Sequence, residues 1–234
     1  MSDPAFTSEP ALTLLRRVLT DTRITDLASL HKALRILHED YHVPNIVISS
    51  IPLKPWLRTA LPPAAQPADP DSADTDFLAC ITSAAAKPTL GENEGPARHV
   101  VHARCIPCIP GYFSGVGDLF SALVLGHFRP APTAPTSAPP ADADAAECPL
   151  AVAVSHALSK THAILTLTHE HAQRLPEEDR LPTDEEHDAR EPERKVRRMR
   201  GRELKLIQGQ DIIRGSAETE YFRMVPWEGF WEGE

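Results

Sequence analysis

Gly111-Tyr-Phe-Ser-Gly115-Val-Gly-Asp118-Leu-Phe-Ser-Ala-Leu-Val-Leu-Gly-His-Phe128 has two halves of opposite character. The first, Gly111 to Gly117, carries three glycines and makes a poor helix or strand interior, since glycine loses the most conformational freedom on folding. The second, Asp118 to Phe128, is apolar on nearly every turn and predicts a buried helix. Asp118 stands at the junction, where an N-cap residue belongs. A glycine loop that opens a helix turns free backbone N–H groups and the positive end of the helix dipole toward one spot. Such a spot binds anions, most often phosphate. A carboxylate beside it would repel the phosphate, and makes sense if it takes the proton of a hydroxyl that attacks. A capped core helix with a glycine turn is an equal reading of the same spacing.

The chain has 234 residues, and its 23 prolines cluster, so less chain is available for a core than the length suggests. A net charge of -9 argues against general nucleic-acid binding. No apolar run is expected to reach the length of a membrane span. The first ten residues have neither a basic start nor an apolar signal core. With only four cysteines, this predicts a reducing setting, cytoplasmic or nuclear.

Upstream of the glycine loop, a short helical pattern surrounds Leu12, Leu15 and Leu19. Asp26 then caps an amphipathic surface helix on Leu27, Leu30, Leu34, Leu37 and Tyr41, with His31, Lys32, Arg35, Glu39 and Asp40 largely on the opposite face. Pro44 stops it. Ile46-Val-Ile48 lacks polar alternation and predicts a parallel strand buried on both faces, as in an α/β protein. Ser49 and Ser50 then lie at its C-terminal end, where hydroxyls can meet a phosphate or ribose, or simply close a turn. Phe77 to Thr82 and His99 to Ile106 predict an antiparallel pair on the sheet edge, joined through Gly91 to Pro96. Cys105 and Cys108 suit small core residues better than a metal or redox pair.

Downstream, Cys148 to His169 predicts a helix packed beside the central one, with His156, His162, His169 and His171 as exposed helix residues. Three stretches, 59–76, 129–147 and 173–200, read as low-complexity or charged insertions. The basic end of the last, Arg194 to Arg202, fits a solvated insertion better than an import or nucleic-acid patch. Glu203 to Ile207 predicts a strand and Asp211 to Arg214 a short turn or helix. The tail, with Met224, Val225, Trp227, Phe230 and Trp231, is apolar enough to dock.

Together, Ile-Val-Ile-Ser-Ser, Gly-Tyr-Phe-Ser-Gly-Val-Gly-Asp-Leu-Phe-Ser-Ala-Leu and Arg-Glu-Leu-Lys-Leu-Ile-Gln, in this order, resemble pyridoxal kinase of the ribokinase-like superfamily, fungal in style. The match runs roughly from Ile24 to Arg214 and corresponds to the C-terminal part of such a kinase. The resemblance implies a single, partial kinase domain over 1–234: the C-terminal part of a ribokinase-like three-layer α/β/α sandwich. It implies phosphorylation by ATP of the 5′-hydroxymethyl group of pyridoxal, pyridoxine or pyridoxamine, giving pyridoxal 5′-phosphate in vitamin B6 salvage. Asp118 aligns with the catalytic base, and Gly117 and Asp118 face the substrate. Gly115, Val116 and Gly117 align with the anion hole. Ser49 and Ser50 align with a Thr-Ser pair that contacts ATP, and Ile109, Pro110 and Gly111 with the border of the adenine.

Mg2+ and a K+-type cation are implied as helpers, and a homodimer is left open; neither membrane nor nucleic acid is expected as a partner. Val116 stands where the family usually has Thr. The family's first half, with its Thr-Pro-Asn-x-x-Glu motif, has no equivalent before Ile24; Thr7-Ser-Glu-Pro-Ala-Leu12 stands there instead. Alternatives therefore stay open: a catalytically inactive truncated remnant that binds nucleotide or a partner subunit, and a largely disordered interaction protein acting through its basic segment.

Overall fold

The computed structural model describes residues 20–67, 76–85, 99–111, 113–130, 148–177, 180 and 185–232. The patterns expected at Leu12 to Leu19, the Gly91 to Pro96 connection and most of 129–147 lie outside the described residues. The chain divides into two compact units, Met1–Cys108 with Phe128–Val154 and Phe222–Glu234, and Ile109–His127 with Ser155–Tyr221.

In the first unit, α1 (Leu27–Arg35) starts where Asp26 predicts. The Asp26 carboxylate accepts from the Ser29 amide at 2.8 Å, and the Ser29 hydroxyl oxygen accepts from the Asp26 amide at 3.1 Å, a reciprocal cap. The helix continues as a wider π-turn over Ile36–Asp40, before His42 at φ 54 and Pro44 end it. Leu30, Leu34 and Leu37 are buried as the spacing predicts. His31 is a correction: it is buried, its ring 4.3 Å from that of Phe230, because the C-terminal tail covers that side of the helix.

Four strands follow in the order β1 (Asn45–Pro52), β2 (Phe77–Ala85), β3 (His99–Pro107), β4 (Val225–Pro226), every pair antiparallel. The parallel pairing expected for β1 is therefore wrong. Ile46 and Ile48 are buried while Val47 is half-buried, an alternation that a run of three apolar side chains conceals. The β2–β3 hairpin is also not at the edge. β2 lies between β1 and β3 and is the strand buried on both faces, from Ala79 to Ala84. Along β1, Ile48 pairs with Ile81 and Ile51 with Ala79, so β1 spends one residue more than β2. This bulge falls on Ser49 and Ser50 and returns Ile51 to the buried face of Ile46 and Ile48.

The core joins Leu30, Leu34, Ile48, Leu57, Ile81 and Val101 with Trp227 and Phe230 of the tail. Each such side chain contributes about 1.5–3 kcal/mol when fully buried. The tail docks through β4 and through the Trp231 indole, which donates to the His99 carbonyl at 2.9 Å. The insertion expected at 59–76 starts inside ordered structure. α2 (Pro55–Ala60) and a 3₁₀ turn at Pro63–Ala65 bury Leu61 and Ala65, and the Gln66 amide donates to the carbonyls of Arg58 and Leu61.

The second unit holds α3 (Val116–His127), the Ser155 to Gln173 part of α4 (Pro149–Gln173), α5 (Glu185–Arg190), α6 (Pro192–Arg200) and α7 (Gln210–Arg214). α4 is long and apolar enough to cross a membrane, unlike the expectation for every run, but more than half of its most apolar window is buried inside the protein, which suits a core helix. It packs beside α3 as expected. The Lys160 ammonium reaches the His127 ring at 3.0 Å and donates to the Ile213 carbonyl at 2.7 Å. Of the four histidines expected to be exposed, only His171 is; His156 stacks on His127 with centroids 4.8 Å apart, and burial pushes the His156 and His162 imidazoles down.

Glu203 to Ile207 does not form a strand. It makes one bridge, Ser114 to Glu203, and then turns into Gly209, where a Cβ would lie 2.2 Å from Ile164. The stretch 173–200, expected as a solvated insertion, carries α5 and α6 with Asp188, Arg194 and Arg198 buried.

Candidate active site

The glycine loop and α3 meet one residue pair earlier than the sequence suggests. The first helical hydrogen bond runs from the Leu119 amide to the Gly115 carbonyl, at 3.0 Å. Helix begins at Val116, so Gly117 and Asp118 are its second and third residues and Asp118 is not the N-cap. The reason is that Gly115 itself adopts φ +85, a conformation an L side chain resists, and makes the turn. Gly111, at φ +115, makes the earlier one. Tyr112 lies outside the described residues.

This shift improves the anion site. The first N–H groups of a helix have no intrahelical acceptor. Among the described residues, the amides of Val116, Gly117 and Asp118 make no hydrogen bond, while the Ser114 amide is taken by the Arg202 carbonyl at 3.0 Å. Gly115, Gly117 and Asp118 are exposed, and a Cβ built at Gly117 meets no atom within 4 Å. The Asp118 carboxylate therefore stands in the open, in the same turn as three unpaired amides and at the positive end of a 12-residue helix. α3 is not the fully buried helix expected: Phe120 and Leu123 are buried and Leu125 is 75% exposed.

Pro110 and Gly111 border a cavity of about 480 Å³ in the second unit. Phe113 and Leu175 are its apolar lining, and Arg180, Arg198 and Arg202 line it too. Asp188 accepts from both Arg194 and Arg198. Burial pulls its carboxyl up, but the two guanidinium hydrogen bonds outweigh this and hold it below its ordinary value. Arg197 pairs with Glu191 at 2.8 Å. Arg194 and Arg198 of the basic run are thus engaged inside the fold, while Lys195 and Arg200 are exposed. Sequence reading missed the part of Arg198 and Arg202 in this cavity. The one available signal was Arg202-Glu-Leu, which fixes them next to the Ser114 loop.

Gly115, Val116, Gly117 and Asp118 thus come together in one turn, and Pro110 and Gly111 at one cavity. Ile109 is half-buried beside them in sequence. Ser49 and Ser50 belong to the first unit, half-buried in the β1 bulge. Burial pushes Cys105 up to about 11 and Cys108 also upward, so both are poor thiolates.

Comparison with known proteins defines the class first: the α/β fold is the ribokinase-like one. More particularly, the chain resembles pyridoxal kinases in sequence and in fold, as its motifs imply. No family model matches it. A Schizosaccharomyces pombe protein named "Putative pyridoxal kinase" is 27% identical over 151 residues, covering 64% of this chain and 38% of that protein. Pyridoxal kinase from Leishmania donovani in complex with ADP and pyridoxine superposes with a TM-score of 0.53 at 16% identity, covering 92% of this chain and 49% of that one. Its complex with ADP and pyridoxamine gives 0.51 at 16%, with the same coverage. The chain spans 38% of the curated relative and about half of the solved kinases, which fits the portion expected.

Proposed function

We infer that this chain carries the phosphoryl-transfer half of a pyridoxal kinase, acting in vitamin B6 salvage. The observation that carries this is the first turn of α3, with its three unpaired amides and open carboxylate. Asp118 takes the proton of the 5′-hydroxymethyl group of pyridoxal, pyridoxine or pyridoxamine. The freed alkoxide oxygen bonds to the γ-phosphorus of ATP, the bond to the β–γ bridging oxygen breaks, and ADP leaves. Charge gathering on the phosphoryl oxygens meets the amides of Val116, Gly117 and Asp118 and the helix dipole. Gly115, with its left-handed φ, sets the direction of those donors. Gly117 leaves room for the alcohol to approach Asp118. Ile109, Pro110 and Gly111 border the adenine.

Mg2+ and a K+-type ion are part of the same reading. Among the described residues, no group of three or more His, Cys, Asp or Glu side chains could hold a metal ion. Open amides and a single carboxylate suit a triphosphate that brings its own Mg2+. The proposed setting is the cytoplasm, with the nucleus and a homodimer left open. A second reading is a remnant that binds nucleotide or a partner subunit without turnover. Titration of the 234-residue chain with ATP, followed by an assay for pyridoxal 5′-phosphate, tests both. Weak ATP binding with little or no turnover from this chain alone is expected. Absence of any ATP binding would sink the kinase reading, and robust turnover would sink the second.

A further inference from the structure

Among the described residues, the cavity beside Phe113 is lined by three arginines and a histidine and by no Asp or Glu, in a chain whose net charge is -9. Its cations come from the charged stretch 173–202, and one of them is held in place from behind. Arg198 is 7% exposed in its side chain and bonded to Asp188 through one terminal nitrogen, while its Nε is buried with no hydrogen-bond partner among the described residues. Arg202 is fixed at the backbone, where its carbonyl accepts from the Ser114 amide. Both line the same cavity as Pro110 and Phe113, and Phe113 stands two residues upstream of Gly115. A cavity lined by an aromatic side chain and by arginines suits a ligand with an aromatic body and an anionic arm.

We propose that Arg198 and Arg202 are a working wall of the nucleotide site and contact the anionic part of a nucleoside di- or triphosphate, and that Asp188 is the positioning residue that aims Arg198. The inference rests on the nucleotide reading above and adds residues to it. Without the second guanidinium contact that Asp188 also makes, to Arg194, α5 and α6 would lose the tie that sets this wall.

The test titrates the full chain with ADP and, separately, with adenosine, which has the same base and no charge. Arg202→Ala and Asp188→Asn should each weaken ADP about tenfold and leave adenosine unchanged, the size expected for one charge-assisted hydrogen bond. Asp188→Glu should restore ADP affinity at least in part. A structural role alone would lower both ligands together. Arg180→Ala, at an exposed position on the same cavity, leaves the Asp188 pairs intact and should reduce ADP affinity less than Arg202→Ala. Unchanged ADP affinity in Arg202→Ala overturns this proposal and leaves the nucleotide reading standing. Failure of the unaltered chain to bind ADP overturns both.

Discussion

Replacing Gly117 by alanine separates the anion cradle from ordinary helix chemistry. Gly117 is the second residue of α3 and is not among the glycines with positive φ. A Cβ there meets no atom within 4 Å, so the fold has room for it. Alanine in a helix is about 0.5–1 kcal/mol better than glycine, and a first-turn position trims that toward the lower figure. Stability should therefore stay level or rise. Nucleotide binding should move the other way. An oxygen bonded to a backbone amide stands about 2.9 Å from the nitrogen. A methyl group on the same residue crowds that oxygen, and at least a tenfold loss of ATP affinity is expected, or about 1.4 kcal/mol. Gly126→Ala is the control: it lies in the same helix, its Cβ is equally unobstructed, and it should leave ATP binding alone. Urea unfolding and ATP titration on both variants make the comparison. Full ATP affinity in Gly117→Ala would refute the reasoning.

Two further outcomes concern stability. The His38 ring touches the Val43 carbonyl at 2.7 Å and the buried Ser83 hydroxyl at 2.7 Å, so His38→Leu should cost about 2–4 kcal/mol, much of it from leaving Ser83 unpaired; adding Ser83→Ala should recover about 1–2 kcal/mol, and strictly additive losses in urea unfolding would contradict the pairing. Burial also depresses His38, His99, His156 and His162 below 6.5, so the unfolded chain binds more protons in the window just under that value. Their contribution is complete above about 6.5 and lost as pH falls toward the native values, so the urea midpoint should be lower near about pH 5.5 than near about pH 7.5, and an equal or higher midpoint would count against it.

Local signals carried much of this structure. Asp26, with a hydroxyl three residues on, defined the start of α1, and glycine placement defined the turn before α3. What stayed hidden depended on distant pairing. Ile46-Val-Ile48 is equally apolar in a parallel or an antiparallel sheet, and only the partner strand, more than 30 residues on, decides. His31 looked exposed because the residues that cover it, Phe230 and Trp231, lie at the other end of the chain. Asp118 lies three positions past the N-cap place its polarity suggests, because Gly115 fills that role through backbone freedom. The charged stretch was read as solvated because sequence alone does not reveal that Asp188 neutralises two arginines at once.

The most direct measurement compares ATP binding and pyridoxal 5′-phosphate formation in the unaltered chain and in Asp118→Asn. If the exposed carboxylate is a base beside a phosphate cradle, the asparagine variant binds ATP at least as well, since a negative charge next to the phosphates is gone, and any product formation disappears. Product formation that survives the change, or ATP binding that collapses with it, would contradict the account.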